Sequence, residues 1–256
     1  MNAQRLSCIY GKKGTMMRRS NIRCAVAAAM AAFLVGACGQ STGTGSVAST
    51  GGNPSANSTS RQPWTEADLN RVALGKSDGE KFGSIPMSTG PSERRAEPVE
   101  CSAIAQTLGR SSSAYAANAR INRQYSGKGT RPGVVMTLAS HKISDAKRVV
   151  REFRTAADKC TAFKEGRSSY GDVDVQPDPV YGDESASLRL VEVASYPDGE
   201  KIRVPHAVVV LRQGTTVAMF HNFERPKASD GKKPTGIPDE LVEAQVKKIR
   251  EFGVVK

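Results

Sequence analysis

The chain has 256 residues, a formal net charge of +12 and five cysteines. The charge does not indicate nucleic-acid binding, because no basic helix with interleaved aromatic residues occurs in the sequence. The sequence also lacks the Gly-x-Ser-x-Gly motif of serine hydrolases and a glycine-rich phosphate-binding loop. It has no Ser-x-x-Lys motif accompanied by the other signatures of β-lactamases. We therefore predict a protein that is not an enzyme, uses no cofactor and has no nucleic-acid partner.

The N-terminal region has the pattern of a lipoprotein signal peptide. Arg18, Arg19 and Arg23 precede an apolar run at 25–37, and Val35-Gly36-Ala37-Cys38 ends it. The run is shorter than the roughly 20 residues that a membrane-spanning helix needs. We predict cleavage after residue 37 and acylation of Cys38, with palmitate among the acyl chains, which anchors the mature chain to the outer face of the cell membrane. Translation could begin at Met1, Met16 or Met17.

Removal of residues 1–37 takes away six basic residues and no acidic one, so the net charge falls from +12 to +6. Residues 38–62 comprise the lipidated cysteine and a segment that is mostly Gly, Ser, Thr, Ala and Asn. Such a segment predicts a flexible linker with a root-mean-square span of roughly 25–30 Å. Residues 63–256 have a globular composition, show no internal repeat and are predicted to form one domain.

Apolar periodicity predicts four helices. Thr65 and Asp68 form a capping box for the first, Pro98 stands near the start of the second, and Ser144 caps a third that ends near Lys164. Pro238 precedes the last.

Alternating or continuous apolar runs predict strands near 80–86 and at 114–125, 134–140, 170–176, 185–195, 207–211 and 216–220. We expect a bulge at Leu190, and a hairpin of the last two strands at the centre of the sheet. The predicted class is α+β, a twisted antiparallel sheet packed by helices on one face.

The cysteines divide by position along the chain. Cys8 and Cys24 leave with the signal peptide and Cys38 takes lipid, so Cys101 and Cys160 remain in an oxidising compartment. Both fall on apolar faces of predicted helices, which favours a structural disulfide between the two helices. A redox-active pair is the alternative, but no Cys-x-x-Cys motif supports it.

Several side chains are candidates for a site, each with a plain structural alternative. His141, His206 and His221 lack metal-binding spacing, and we predict no metal site. Ser185 would need His206 or His221 beside it to act as a nucleophile. The acidic side chains between 172 and 184 could bind a cation or form a solvated strand edge: Asp172, Asp174, Asp178, Asp183 and Glu184.

Lysines of the last long loop are a further candidate site. They could bind an anionic polymer or a lipid headgroup, or form a solvated mobile loop: Lys227, Lys232 and Lys233.

The order of several short motifs resembles a known family. These are Leu138-Ala139-Ser140, the long helix ending at Cys160, Gly182-Asp183-Glu184-Ser185, the segment at 208–214 and the helix with Gln245-Val246-Lys247-Lys248-Ile249. Over 65–252 the chain resembles the PknH-like extracellular sensor domains of actinobacteria, many of which are lipoproteins.

This resemblance implies an antiparallel sheet with helices, a cleft for an unidentified ligand, and no catalysis. The extracellular sensor domain of the kinase that names this family has two disulfides, whereas this chain can form only one beyond its lipidated cysteine. We expect no kinase domain to accompany it, so signalling would need a partner.

The predicted function is therefore a membrane-anchored extracellular sensor module that binds an unknown envelope ligand or protein. Two alternatives stay open: a cell-envelope hydrolase and a small solute-binding lipoprotein. About 190 residues are few for the two lobes of a solute-binding protein.

Overall fold

In the described part of the chain, eight antiparallel strands form one open sheet in the order β1-β2-β3-β8-β7-β6-β5-β4. The computed structural model describes residues 62–88, 94–109, 116–126, 133–195, 199–223 and 236–255. The strands are β1 (Ser84–Met87), β2 (Ala119–Tyr125), β3 (Val134–Ser140), β4 (Phe163–Glu165), β5 (Ser168–Gln176), β6 (Glu184–Ser195), β7 (Lys201–Gln213) and β8 (Thr216–Phe223). The helices are α1 (Glu66–Val72), α2 (Ser102–Leu108), α3 (Ile143–Lys159) and α4 (Asp239–Val255). The α+β class is confirmed.

Helices cover both faces of the sheet. Along β8, Val217 and Met219 pack with α2 and α3, while Ala218 and Phe220 pack with α1 and α4. We call these the α3 face and the α4 face. The expectation of helices on one face is wrong, and the continuous apolar run of β8 is what a strand buried on both sides requires. The central position of the β7–β8 hairpin is confirmed.

On the α4 face, α1 and α4 pack together. The predicted capping box is confirmed, since Thr65 Oγ1 accepts from the Asp68 N–H while an Asp68 carboxylate oxygen accepts from the Thr65 N–H. The fully buried Gln245 of α4 accepts from the Leu74 N–H at 3.0 Å and donates to the Val72 carbonyl at 2.7 Å. These bonds satisfy backbone groups at the end of α1 that would otherwise be buried without partners.

On the α3 face, a disulfide joins Cys101 to Cys160. Cys101 ends a 3₁₀ turn and precedes α2, and Cys160 directly follows α3. Both cysteines are buried, with their Cα atoms 5.3 Å apart. The predicted disulfide between helices is confirmed, and it ties the start of α2 to the end of α3.

The ends of α3 differ from the prediction. Lys142, not Ser144, is its N-cap, and the helix ends at Lys159 instead of continuing to Lys164. Phe163 begins β4, where its ring stacks on Tyr170 with centroids 4.6 Å apart. Pairing with β5 thus overrides the apolar period that placed Phe163 in the helix.

The strands are mostly longer than predicted, and the bulge lies opposite Leu190 instead of at it. β6 pairs with β7 without interruption, and the register shift lies in β5 between Gly171 and Asp174, where two β5 residues oppose Leu190 of β6. Asp172 adopts a positive φ of 51° there. The predicted signal peptide at 1–37 and linker residues 38–61, Cys38 included, lie outside the described residues. The first two residues of the strand predicted at 114–125 do too.

Candidate ligand-binding cleft

Three neighbouring strands change from apolar to polar residues at the same end of the α3 face. Side chains two apart on a strand share a face, so each polar residue continues an apolar row. The rows are Leu188, Leu190 and Glu192 on β6, Val210, Val208 and His206 on β7, and Val217, Met219 and His221 on β8. Leu190 pairs with His206 and Val208 with His221, which places the polar ends side by side.

A half-open cavity of about 250 Å³ lies over these polar ends. Its polar lining comes from five segments of the chain: Arg94, Ser168, Tyr170, Glu192, His206 and His221. Leu108 at the end of α2, Val135 of β3 and Phe223 of β8 supply apolar walls. We call this cavity the histidine cleft.

A continuous chain of hydrogen bonds runs along the histidine cleft. Ser168 Oγ donates to Glu192 Oε1 at 2.6 Å, and Glu192 Oε2 lies 3.1 Å from His206 Nε2. His206 Nδ1 then lies 2.8 Å from His221 Nε2. Both oxygens of the Glu192 carboxylate are therefore engaged within the protein.

The hydrogen bonds fix the tautomers of the neutral pair. A carboxylate only accepts, so His206 donates from Nε2 to Glu192 and its Nδ1 carries a lone pair. That lone pair accepts from the Nε2–H of His221.

Aromatic contacts hold the two imidazoles in place. Their planes differ by 7°, and Phe223 stacks on both rings at centroid distances of 5.6 and 5.7 Å. Tyr170 meets His206 edge-on at 6.0 Å and is itself stacked on Phe163. This packing restricts ring rotation, so the histidine pair is held in one arrangement before any ligand arrives.

Two ionisable groups of the cleft have shifted pKa values. The hydrogen bond from His206 lowers the pKa of Glu192, against the opposing effect of burial, so this group is a carboxylate at neutral pH. Burial, reinforced by the charges of Glu192 and Glu165, raises the pKa of Tyr170 to about 12. The Tyr170 hydroxyl therefore keeps its proton over the physiological range.

Arg94 borders the cleft through an ion pair with Glu165. Its Nη1 lies 2.9 Å from Glu165 Oε2, and its side chain is 37 % exposed. A Cβ at Gly109 would lie 2.5 Å from Arg94 Cδ, so glycine at the end of α2 leaves the room that this side chain occupies. Burial raises the pKa of Glu165, with Arg94 acting in the opposite direction.

The predicted partners of Ser185 are not beside it. Ser185 stands opposite Leu211, whereas His206 stands opposite Leu190, five residues further along β6 and about 17 Å away. The Ser185 hydroxyl donates instead to the Pro179 carbonyl. The structure brings His206 and His221 together with each other and not with this serine.

The acidic candidates are distributed among separate ion pairs. Asp172 pairs with Arg203 and Asp178 with Arg154, while Asp183 and Glu184 both pair with the buried Arg212. Asp174 accepts from its neighbour Gln176. Within the described residues, no three His, Cys, Asp or Glu side chains are arranged to hold a metal ion.

His141 lies apart from the cleft, at the end of β3. It is 1 % exposed, and neither ring nitrogen has a hydrogen-bond partner among the described residues. Burial lowers its pKa, with a smaller opposing effect of Asp145.

Two further predictions fall outside the described part of the chain. The candidate lysines Lys227, Lys232 and Lys233 belong to residues 224–235, and Cys38 to the undescribed N-terminal region. None of the described helices is long and apolar enough to cross a bilayer.

Comparison with known proteins finds similarity to a solved structure. No family model matches the chain, and no curated protein matches it. The chain is similar to the crystal structure of the extracellular domain of PknH from Mycobacterium tuberculosis, with 12 % sequence identity and a TM-score of 0.43. The match covers 75 % of this chain and 98 % of that one. This similarity is too weak to assign a family or a function.

Sequence reasoning found two members of the cleft and missed the others. His206 and His221 were candidates, but Arg94, Ser168, Tyr170 and Glu192 were not. The alternation of side chains along β6 could have identified Glu192. It follows Leu188 and Leu190 at intervals of two residues and therefore lies on the same buried face of the strand.

Proposed function

We propose that this chain is a non-catalytic ligand-binding module, held at the extracellular face of the cell membrane by lipid on Cys38. The observation that carries the binding proposal is the histidine cleft, a cavity whose Glu192, His206 and His221 are hydrogen-bonded into one fixed arrangement. A buried chain of polar side chains costs stability unless every member is hydrogen-bonded. The presence of such a chain in the cleft therefore favours a functional role. The N-terminal sequence pattern supports the anchor.

The resemblance to sensor domains extends the proposal to sensing. In that case occupancy of the cleft is reported to a second protein that crosses the membrane, because the chain is expected to be anchored only by acyl chains. The described residues form one sheet, which does not favour the two-lobed hinge of a solute-binding protein.

The hydrolase alternative is not favoured by the geometry. Ser168 Oγ donates to Glu192 and not to an imidazole, and Ser185 is distant from both cleft histidines. A fluorophosphonate probe that labels the chain but not its Ser185→Ala variant would support the alternative.

Native mass spectrometry of the full chain, purified from membranes, tests the binding proposal. We expect a small molecule to co-purify with the wild-type chain and to be lost from a His206→Phe, His221→Phe double variant. Arg203→Gln is the matched control, because it breaks an exposed ion pair with Asp172 outside the cavity. Retention of the molecule by the double variant, with the same melting temperature as the control, would contradict binding in the histidine cleft.

Labelling of cells with an alkyne analogue of palmitate tests the anchor. We expect label on the wild-type chain and none on a Cys38→Ser variant, which should also leave the membrane fraction. Equal labelling of the two chains would refute acylation at Cys38.

A further inference from the structure

We propose that the end of the domain at which the linker enters is a docking surface for a bilayer of anionic phospholipid. The inference rests on the proposed anchor at Cys38 and goes beyond the proposed binding of a ligand in the cleft. It follows from where the linker meets the fold, and from the exposed apolar and basic side chains that surround this point.

The linker enters the fold beside the last residue of β3. The Trp64 N–H donates to Ser140 Oγ at 2.6 Å, and Asn118 Nδ2 donates to the Trp64 carbonyl at 3.0 Å. The Trp64 ring meets Phe252, near the end of α4, edge-on with centroids 5.2 Å apart. These contacts fix the point at which the linker leaves the domain.

The start of α3, the β7–β8 turn and the end of α4 meet around Trp64. The His141 N–H, just before α3, donates to the Thr215 carbonyl at 2.9 Å. Thr215 and Trp64 line a half-open groove of about 170 Å³ together with residues from the end of α4. We call this end of the domain the docking surface, and its members are Trp64, Lys142, Ile143, Lys147, Arg250 and Val254.

The docking surface exposes apolar and basic side chains side by side. Ile143, the first residue of α3, is 43 % exposed, and Val254, near the end of α4, is 76 % exposed. Lys142 and Lys147 flank Ile143, Arg250 lies one turn before Val254, and all three cations are exposed. Within the described residues, none of these cations forms an ion pair. Apolar side chains bordered by cations are typical of surfaces that bind anionic membranes.

Acidic side chains at this end of the domain are offset by other groups. The carboxylates beside the β7–β8 turn bind the buried Arg212, and Glu251 pairs with Lys247. Asp145 and Glu66 lie in the first turns of α3 and α1, where the positive end of the helix dipole reduces the effect of their charge. These carboxylates are therefore not partners of the three cations.

The linker makes a weak attraction sufficient for docking. One Lys or Arg near an anionic bilayer strengthens binding by about fivefold, so three cations contribute about a hundredfold. A short flexible linker holds the domain near the membrane at an effective concentration in the millimolar range. An attraction that would not retain a free domain can therefore hold an anchored one against the bilayer.

Docking directs the histidine cleft away from the bilayer. β8 begins beside the docking surface at Thr216 and reaches the cleft at His221 and Phe223, a distance of roughly 20 Å along the strand. The two sites therefore lie at opposite ends of β8. In the docked domain the cleft opens toward the envelope, where its ligand would come from.

Quenching of tryptophan fluorescence by labelled lipid tests the docking. Trp64 is the only tryptophan of the sequence, and it lines the groove beside Val254. The full chain, purified from membranes, is incorporated into vesicles of phosphatidylcholine, or of phosphatidylcholine and phosphatidylglycerol in equal parts, that contain a lipid with a nitroxide high on its acyl chain. We expect strong quenching in the anionic vesicles and weak quenching in the neutral ones. The difference should disappear at about 1 M salt, where the Debye length is about 3 Å.

Two double variants with the same change of charge locate the surface. Lys142→Gln with Arg250→Gln should weaken docking on anionic vesicles by about 25-fold, since each cation contributes about fivefold. Lys159→Gln with Lys164→Gln is the matched control, because both lysines are exposed and Lys159 lies about 25 Å from Lys142, at the other end of α3. The control should leave the quenching nearly unchanged.

The outcomes separate docking from the anchor. Equal loss of quenching in the two double variants would overturn the proposal, because it would indicate a general attraction of charge instead of a defined surface. Absence of quenching in anionic vesicles, with a chain that floats with vesicles of both kinds, would overturn docking and leave the anchor. A chain that floats with neither kind of vesicle would overturn both.

Discussion

Loss of the Cys101–Cys160 disulfide should remove a large part of the stability of this domain. The two cysteines are 59 positions apart, and for a loop of that length the chain-entropy relation gives about 14 cal/mol/K, or about 4 kcal/mol at 25 °C. Domains of this size are commonly stable by about 5–15 kcal/mol. Reduction should therefore bring the domain close to the limit of folding.

Urea unfolding of three samples separates the cross-link from packing. These are the oxidised wild type, the wild type reduced with a phosphine, and a Cys101→Ala, Cys160→Ala double variant. Oxidised and reduced wild type differ only in the cross-link and should differ by about 4 kcal/mol. Both cysteines are buried, so the alanine variant should lose about 1 kcal/mol more for each sulfur removed.

One outcome of these unfolding experiments would contradict the predicted effect of the cross-link. If reduced and oxidised wild type unfold within about 1 kcal/mol of each other, with equal dependence on urea, then restriction of the unfolded chain is not what this disulfide contributes. If the double variant alone is destabilised, packing of the sulfurs is the main effect.

Two further predictions concern a glycine turn and a buried histidine. Gly182 and Gly214 have nearly equal φ values of 63° and 62°, but a Cβ at Gly182 would lie 2.5 Å from a backbone oxygen and one at Gly214 would contact nothing within 4 Å. Gly214→Ala should cost about 1 kcal/mol of unfolding free energy and Gly182→Ala about 3 kcal/mol or more by urea unfolding; equal costs would show that no clash occurs. Because burial lowers the pKa of His141, the unfolded chain binds the additional proton, and stability should fall as pH drops below about 6.5, by at most about 1.4 kcal/mol per pH unit. His141→Leu should flatten this fall in thermal melts between pH 7.5 and 5, and an unchanged slope would assign the acid sensitivity to other groups.

Most secondary structure could be predicted, because local patterns were strong. The capping box of Thr65 and Asp68, the apolar stripe of α2 and the central hairpin all correspond to the sequence expectation. The errors occur where tertiary contacts override a local pattern. Phe163 continues the helical period of α3, but it stacks on Tyr170 in a paired strand.

The cleft was only partly predictable for a similar reason. His206 and His221 are 15 positions apart and Glu192 is 14 positions before His206, so no short motif contains them. Their proximity depends on the register of β6, β7 and β8. A shift of one residue would turn each side chain to the opposite face of the sheet.

From sequence alone came the α+β class, the pairing of Cys101 with Cys160 and the expectation of export, since each depends on residue type and local spacing. Only the tertiary structure decided that helices cover both faces of the sheet and that Glu192, His206 and His221 form one hydrogen-bonded chain. The physical reason is that a local period specifies which side of a strand is buried, while strand pairing specifies which distant side chains meet on that side.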